Sequence, residues 1–252
     1  MDSFLLLAGA GFTGGAMNAL AGGGSFVTLP ALIAAGVPSV PANASSTVAL
    51  FPGGVASVWV YRDGIKHVPR SLLLPCLWAT LVGGALGALL LLSTPTTLFD
   101  RVLPWLLALA TIMLTFGRRI SLSVGAREHA HLPTMVAVQF VLGIYGGYFG
   151  GAVGLMMLAA WSVLTGLSTK MFNPSRTLLT TAANTIAVLC FAVAHAIYWR
   201  EALILGAGAL LGGYTGAHIG RRLPPNVIYV ATVVIACGMT LAFFIRAYGG
   251  AR

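Results

Sequence analysis

The sequence predicts an all-α, polytopic helical membrane protein, and its composition is the first observation behind that prediction. Of 252 residues, 58% are hydrophobic and only 8% are charged, with a mean hydropathy of +0.93. A soluble domain carries about 25% charged residues, and a fold of this length cannot hide so much apolar surface from water. The apolar residues form long runs rather than short alternating segments, which favours helices over a transmembrane barrel.

The lengths of the apolar runs are the second observation. Eight long apolar segments follow one another, and a straight helix needs about 20 such residues to cross a bilayer. The first, residues 4–36, and the fifth, residues 134–165, each contain a glycine-rich interruption. We therefore predict about eight spans, or ten if the parts of the interrupted segments cross separately. The uninterrupted segments are residues 44–61, 71–92, 98–117, 177–198, 202–220 and 227–246.

An internal duplication is the third observation. Three patterns recur in the same order: residues 11–15 match 143–147, residues 43–47 match 173–177, and residues 83–88 match 212–217. They predict two homologous repeats, at residues 1–120 and 134–252, joined by a polar linker at 121–133. Four spans in each half would make the repeats parallel, and five would make them inverted. The placement of Lys and Arg fits both arrangements, so the sequence leaves both open.

The first interruption, Gly22-Gly23-Gly24-Ser25, organises the rest of the interpretation. Each glycine in a helix interior costs roughly 1 kcal/mol relative to alanine. Non-helical backbone is tolerated inside a bilayer only where protein buries it or a wet cavity lies beside it. A short apolar segment broken by glycine is typical of a transporter's binding site. We therefore predict that the helix after Gly24 begins inside the membrane.

The placement of the acidic residues excludes the usual cation transporters and proton pumps, which hold carboxylates within the membrane. All five lie at termini, in loops or at segment ends: Asp2, Asp63, Asp100, Glu128 and Glu201. Neutral hydrogen-bonding residues lie near the interruptions instead. Helices that start after Gly24, and after Pro41 or Pro174, would direct free N–H groups between the halves, and such N-termini suit an anion. The sequence therefore predicts an anion pathway.

Positive charge near this pathway would come from Arg176, with Lys170 as a second candidate. Arg176 has an alternative interpretation as a span-end anchor that reaches the lipid headgroups. The other basic residues give a net charge of +9. They lie mostly in short loops at span ends, which predicts contact with anionic lipid rather than nucleic acid. The N-terminal segment has no basic residues before its apolar run, so a cleaved signal peptide is not expected.

Other small or reactive residues predict packing rather than chemistry. Pairs of glycines four residues apart let membrane helices approach closely; they are Gly83 with Gly87 and Gly212 with Gly216. The cysteines are scattered without metal-ligand spacing, so neither a metal site, a cofactor nor a disulfide framework is expected; they are Cys76, Cys190 and Cys237. An intramembrane hydrolase that pairs Ser25 with His195 or His218 is an alternative, but the duplication favours transport over catalysis.

The interruption at Gly22-Gly23-Gly24-Ser25, the following Pro30 and the stretch Ala42-Asn43-Ala44-Ser45-Ser46-Thr47 resemble the sulfite exporter TauE/SafE family of membrane transporters. The second half repeats the pattern at residues 143–154 and 173–177, so the resemblance covers nearly the whole chain. It implies a multi-pass protein of the inner (cytoplasmic) membrane that is not an enzyme. It also implies a small sulfur-containing oxyanion as substrate, such as sulfite, thiosulfate or an organosulfonate, exported by alternating access between the two repeats.

The site residues follow from the interruption and from the family's motif positions. Family members often have a small residue where this chain has Arg176. Uptake of a sulfonate or carboxylate is the alternative direction; it would require a coupled proton or cation, for which His195 and His218 are the candidate carriers. A membrane scaffold subunit is an alternative of another class. The predicted substrate-binding residues are Asn18, Gly24, Ser25, Asn43, Ser46, Thr47, Asn173, Ser175, Arg176 and Thr177.

Overall fold

The computed structural model describes residues 2–123, 131–165, 169–220 and 225–249. Over these ranges the chain is all-α, as predicted, with one 3-10 helix at Arg62–His67 and no strand. The α-helices are α1 (Asp2–Ala21), α2 (Ser25–Ala34), α3 (Ser39–Tyr61), α4 (Arg70–Ser93), α5 (Thr96–Ser123), α6 (Leu132–Tyr148), α7 (Val153–Thr165), α8 (Thr169–Val193), α9 (Trp199–Gly220) and α10 (Pro225–Tyr248).

Helix length and hydropathy agree with a membrane protein. Among the described residues, α1, α4, α5, α8 and α10 contain segments long and apolar enough to cross a bilayer. The helices α2, α6 and α7 are apolar but shorter, at 10 to 17 residues. A ten-residue helix such as α2 is only about 15 Å long, which is about half of the hydrocarbon core.

Both predicted interruptions break the helix. Residues 22–24 separate α1 from α2, and Gly22 has a φ of +74°. Residues 149–152 separate α6 from α7, where Gly150 has a φ of +75°. Glycine enters this left-handed region without a steric penalty. The second break is shorter than its glycine tract, because α6 keeps the earlier glycines of that tract in helix.

Two details of the predicted boundaries differ from the structure. The expectation that helices start after Pro41 and Pro174 is wrong, because α3 begins at Ser39 and α8 begins at Thr169. Pro41 lies in the first turn of α3, where its missing N–H would have no helical partner anyway. In the predicted linker, α5 continues through Ser123 and α6 starts at Leu132, while residues 124–130 lie outside the described ranges.

Close contacts fix the relative directions of the helices. Gly54 of α3 faces Thr181 of α8, and Gly64, just beyond α3, faces Pro174, so α3 and α8 are antiparallel. In the first half, Thr28 of α2 lies against Ser46 of α3, and Gly24 lies against Leu50, so these two helices are also antiparallel.

The most extensive contacts are between α1 and α9 and between α4 and α6. Each pair joins the first helix of one half to the fourth helix of the other half. Gly83 of α4 lies on Phe140 and Gly87 lies on Ile144, so these helices are parallel. A methyl group on either glycine would collide with the backbone of α6, which confirms the predicted close packing. In the other pair, the equivalent contacts come from Gly208, on Ala8, and Gly212, on Phe12. Gly83 and Gly87 of α4 and Gly208 and Gly212 of α9 therefore make contacts of the same kind with their partner helices.

These contacts divide the described helices into two interlocked bundles rather than into the two halves of the sequence. The first bundle contains α1, α2 and α3 together with α9 of the second half; α10 adjoins this bundle through α1 and α2, although its most extensive contact is with α5. The second bundle contains α6, α7 and α8 together with α4 and α5 of the first half. The bundles meet mainly where α3 crosses α8 and where α5 lies along α10. Each glycine break therefore lies within one bundle, and each bundle contains helices from both halves.

Candidate functional site

The two breaks lie at the same level of the molecule. A methyl group added at Gly24, in the first break, would lie 3.1 Å from Leu50 Cδ1 of α3. One added at Gly150, in the second break, would lie 3.8 Å from Asn184 Oδ1 of α8. The helices α3 and α8 cross at the contact of Gly54 with Thr181. Leu50 lies about one turn before Gly54, and Asn184 lies about one turn after Thr181. Because the two helices are antiparallel, Leu50 and Asn184 are on the same side of the crossing. The breaks therefore flank the crossing of the two bundles.

At the first break, the polar groups are bonded to one another. The hydroxyls of Thr28 and Ser46 are 2.6 Å apart, and both residues are buried. Thr28 Oγ1 also donates to the carbonyl of Gly24 at 3.2 Å. Asn18 and Ser25 are half-buried beside this turn. Two other predicted site residues, Asn18 and Ser25, thus lie beside Gly24, whereas Ser46 is already engaged by Thr28.

Asn43 and Thr47 serve the helix backbone. Asn43 is buried, and its Nδ2 donates at 3.0 Å to the carbonyl of Tyr148, the last residue of α6. Carbonyls at a helix end have no partner within the helix, so this side chain of the first bundle caps α6 just before the second break. Thr47 Oγ1 donates to the carbonyl of Asn43 at 2.9 Å. Asn43 therefore positions the second break.

A buried hydrogen-bond chain fixes the hairpin of α6 and α7 from its other side. Trp161 Nε1 of α7 donates to Gln139 Oε1 of α6 at 2.9 Å. Gln139 Nε2 donates in turn to Thr80 Oγ1 of α4 at 2.8 Å. Because a buried amide with partners on two helices restricts both, the helices on either side of the second break are held to α4.

The second break has polar groups without protein partners. A methyl group at Gly154, in the first turn of α7, would lie 3.1 Å from Arg176 Nη1 and 3.5 Å from Thr180 Oγ1. The Arg176 Nε and Asn184 Oδ1 atoms are buried, and neither bonds to any described residue. Arg176, Thr180 and Asn184 follow one another at four-residue spacing along α8, so they share one face of the helix.

The charge of Arg176 is not balanced by an acid among the described residues. The only described ion pair joins Lys66 to Asp63 at 3.8 Å, on exposed side chains beyond α3. No acidic residue occurs in the sequence between Glu128 and Glu201. The Arg176 guanidinium approaches the first turn of α7 at Gly154. The side chain of Lys170, the other candidate cation, lies outside the described residues.

The remaining predicted residues of α8 lie one turn or less from Arg176. Thr177 Oγ1 donates to the carbonyl of Asn173 at 3.0 Å, which repeats the bond of Thr47 to Asn43. Ser175 is fully buried, and its Oγ bonds to no described residue. Asn173 is half-buried. Such a bond to the carbonyl four residues earlier is common to the helical threonines of this structure, for example Thr80 and Thr240.

The two polar stretches meet only through long side chains at the second break, where Asn43 bonds to Tyr148 and Arg176 lies against Gly154. Ser46 lies eight residues before Gly54, and Arg176 lies five residues before Thr181. Since α3 and α8 are antiparallel and cross at Gly54 and Thr181, the stretches lie on opposite sides of the crossing. At 1.5 Å per residue they are about 20 Å apart along the helices. Only the breaks converge, together with the side chains that reach them.

The histidines lie away from both breaks. His195 is exposed in the turn after α8 and has a φ of 52°. His218 is exposed near the end of α9, where its Nδ1 lies 3.0 Å from the carbonyl oxygen of Tyr214. Helix rise places each about 14 Å or more from the level of the breaks. The structure therefore does not bring either imidazole to Ser25, as the hydrolase alternative requires.

Three residues at the second break were missing from the predicted site: Gly154, Thr180 and Asn184. The four-residue spacing of Arg176, Thr180 and Asn184 is the signal that would have indicated them. The described cavity, lined by Trp105, Phe244 and Tyr248 among others, lies on the side of α5 and α10, away from both breaks.

Comparison with known proteins agrees with this architecture. The family model described as "Sulfite exporter TauE/SafE" matches residues 7–243. A "Probable membrane transporter protein" of Haemophilus influenzae is 26% identical over 95% of this chain and 94% of its own length. "Probable membrane transporter protein ORF9" of a Sinorhizobium species is 26% identical over 92% and 88% of the two chains.

A third relative, "Probable membrane transporter protein YfcA" of Escherichia coli K12, is 28% identical over 88% of this chain and 84% of its own. No solved structure gave a significant match. The family match covers nearly the whole chain. The relatives are named as membrane transporters, and the chain matches them over most of their length. The chain therefore belongs to the TauE/SafE sulfite exporter family and is an integral membrane protein of the transporter class.

Proposed function

We propose that this chain is a secondary transporter of a small sulfur-containing oxyanion. The observation that carries the proposal is the meeting of both helix breaks at one level, where α3 of one bundle crosses α8 of the other. Two helices, α2 and α7, begin at this level, and helix N-termini favour anions. An arginine reaches the same level without an acidic partner among the described residues. The family name supplies the class of anion.

The same contacts support inverted-topology repeats. The helices α3 and α8 occupy equivalent places in the two halves and run in opposite directions. The pairing of α1 with α9 is matched by that of α6 with α4. Two halves of five helices each, running in opposite directions, fit the inverted arrangement that many transporters use, with the substrate at the repeat interface.

Alternating access would then move the two bundles against each other. Rocking of residues 1–120 against residues 134–252 would have to separate α1 from α9 and α4 from α6, whose glycines are in backbone contact. Rocking of the bundles leaves both interfaces intact and moves the crossing of α3 and α8, where the breaks lie. The bundles are therefore the better candidates for the moving bodies.

The orientation follows from the same helix directions. Six basic residues of the described helices lie at the end of α3, in the 3-10 helix after it, at the end of α5 or at the starts of α4 and α8, all on one side; the other side has Arg101, Arg200 and Arg246. The positive-inside rule makes the first side cytoplasmic in the inner membrane. Those six residues are Arg62, Lys66, Arg70, Arg118, Arg119 and Lys170.

Export is the direction that the membrane potential favours. With the inside negative, a 100 mV potential favours the exit of each negative charge by about 2.3 kcal/mol. No acidic residue in the described part of the chain lies where it would bind a coupling cation at the breaks, and the described histidines are distant from them. Uniport of the anion requires no further coupled ion.

A flux measurement tests the proposal. The purified protein is placed in liposomes loaded with radiolabelled sulfite, thiosulfate or sulfoacetate, and efflux is followed with and without a pH gradient. We expect saturable flux of at least one sulfur oxyanion above that of protein-free liposomes, and faster efflux when the inside is made negative. Absence of flux for every anion would refute the transporter proposal.

A further inference from the structure

The two breaks differ in the chemistry that surrounds them, although they are structurally equivalent. The sequence match of residues 43–47 with 173–177 aligns α3 with α8, and the contacts of Gly24 with Leu50 and of Gly154 with Thr180 fit the same alignment. In that alignment Arg176, Thr180 and Asn184 of the second break correspond to Ser46, Leu50 and Gly54 of the first. One face of α8 is therefore cationic and hydrogen-bonding where the same face of α3 is small or apolar.

The first break is closed to a charged ligand. The Ser46 hydroxyl is 2.6 Å from that of Thr28, and Thr28 bonds onward to the carbonyl of Gly24. The Leu50 side chain covers Gly24, since a methyl group there would lie 3.1 Å from Leu50 Cδ1. A ligand at this break would have to separate two bonded hydroxyls and displace an apolar side chain, with no cation to compensate.

The second break provides donors that the protein leaves unused. Arg176 lies against Gly154, in the first turn of α7, and its buried Nε bonds to no described residue. The first amides of a helix have no partner within the helix. Asn184 directs a buried, unbonded Oδ1 at Gly150, and rotation of its amide would present two donors instead.

We propose that the second break alone holds the anion, through Arg176 and the first turn of α7, and that the first break is a structural counterpart without a ligand. This deepens the proposed function and rests on it. The planar guanidinium presents Nε–H and Nη–H in a fork that matches two oxygens of one oxyanion. The site therefore selects tetrahedral or pyramidal oxyanions over halides, which accept no such paired bonds.

Gly154 has a defined part in this site. Its missing side chain lets the guanidinium lie on the first turn of α7, because a methyl group there would already come within 3.1 Å of Nη1. The end of a flexible side chain can move by a few tenths of an ångström to accommodate alanine. Gly154→Ala should therefore shift the guanidinium without removing its charge. The variant thus tests whether binding depends on the exact position of the guanidinium as well as on its charge.

Equilibrium binding of radiolabelled sulfite to the purified full chain in nanodiscs tests the proposal. Arg176→Gln should weaken binding by about 10- to 150-fold, the range for loss of hydrogen bonds to a charged group. Arg176→Lys should be intermediate, since it keeps the charge and loses the fork, and Gly154→Ala should cause a smaller loss than Arg176→Gln. Ser46→Ala is the matched control at the equivalent position and should bind nearly as the wild type does.

The outcomes distinguish this inference from the proposed function. If Ser46→Ala weakens binding as much as Arg176→Gln, or if Arg176→Gln binds as the wild type does, the asymmetric site is refuted while transport stands. If the wild type transports no sulfur oxyanion, the proposed function fails, and phosphate and acetate become the binding probes. Binding of these anions that does not depend on Arg176, or no anion binding at all, then overturns the site as well. Thermal unfolding of each variant shows that it is folded.

Discussion

Two engineered disulfides distinguish motion of the bundles from motion of the sequence halves. A methyl group at Gly206 of α9 would lie 3.8 Å from Ala49 Cβ of α3, within the first bundle. One at Gly54 of α3 would lie 3.9 Å from Thr181 Cβ of α8, between the bundles. Disulfides join Cβ atoms about 3.5–4.5 Å apart, so both pairs are suited to cross-linking. Both pairs also join the first half of the sequence to the second.

The double variant Ala49→Cys with Gly206→Cys should keep its flux when oxidised, because the bond lies inside one moving body. The double variant Gly54→Cys with Thr181→Cys should lose flux to the level of protein-free liposomes. Its disulfide holds the two Cβ atoms within about 4.5 Å, and therefore prevents α3 and α8 from separating by even 1 Å. Reduction of the bond should restore flux.

The assay is efflux of labelled sulfite from liposomes before and after oxidation. Each single cysteine variant is the control for the effect of the substitution itself. If the halves of the sequence were the moving bodies, both cross-links would block transport, and loss of flux on oxidation of the Ala49 and Gly206 pair would refute our reasoning. The background replaces the three free cysteines with alanine: Cys76, Cys190 and Cys237.

Two further predictions concern packing and orientation. Gly147→Ala places a methyl group 2.9 Å from Gly84 Cα of α4, so overpacking should destabilise the protein by about 1–3 kcal/mol. Gly238→Ala is the control, because no atom lies within 4 Å of its methyl group; it should leave stability unchanged or raise it by up to about 1 kcal/mol through helix propensity. Thermal unfolding of both variants in detergent measures the difference. For orientation, a phosphatase fused after α10 should be active outside the cytoplasm, and a green fluorescent protein fused there should be dark; the reverse pair of results would place the basic side outside.

The positions of the helix breaks could be predicted from the sequence because glycine tracts are local signals. Gly22 and Gly150 adopt backbone angles that suit glycine, and the surrounding apolar residues are too few for a second full span. The relative direction of α3 and α8 could not be predicted from the sequence, since it depends on whether α2 and α7 turn back as separate helices. Contacts such as Gly54 with Thr181 determine that direction, and they join residues far apart in sequence.

The interlocking of the bundles was also absent from the sequence interpretation. Gly83 and Gly87 indicate that something packs closely on α4, but small residues do not specify which helix does so. The structure shows that the partner is α6 of the other half. The duplicated motifs suggested that the two halves of the sequence are the moving bodies, whereas the most extensive interfaces join helices of different halves.

The candidate site was predicted in part for a similar reason. Arg176 could be recognised because an arginine near an acid-free membrane interior is unusual. Thr180 was not in the predicted site, and like many hydroxyls in helices it bonds within its own helix, to the carbonyl of Arg176 at 2.9 Å. Ser46 was predicted from the family's motif positions, yet Thr28 engages it. Positions that match in sequence need not have matching chemistry.

The most direct test of the account is a structure of the protein in nanodiscs with selenite, an electron-rich analogue of sulfite. We predict density for one anion, in the first turn of α7 and within hydrogen-bonding distance of Arg176, with none at the equivalent place beside Gly24. Density beside Gly24, at a surface loop, or nowhere in a protein that transports the anion would contradict the account.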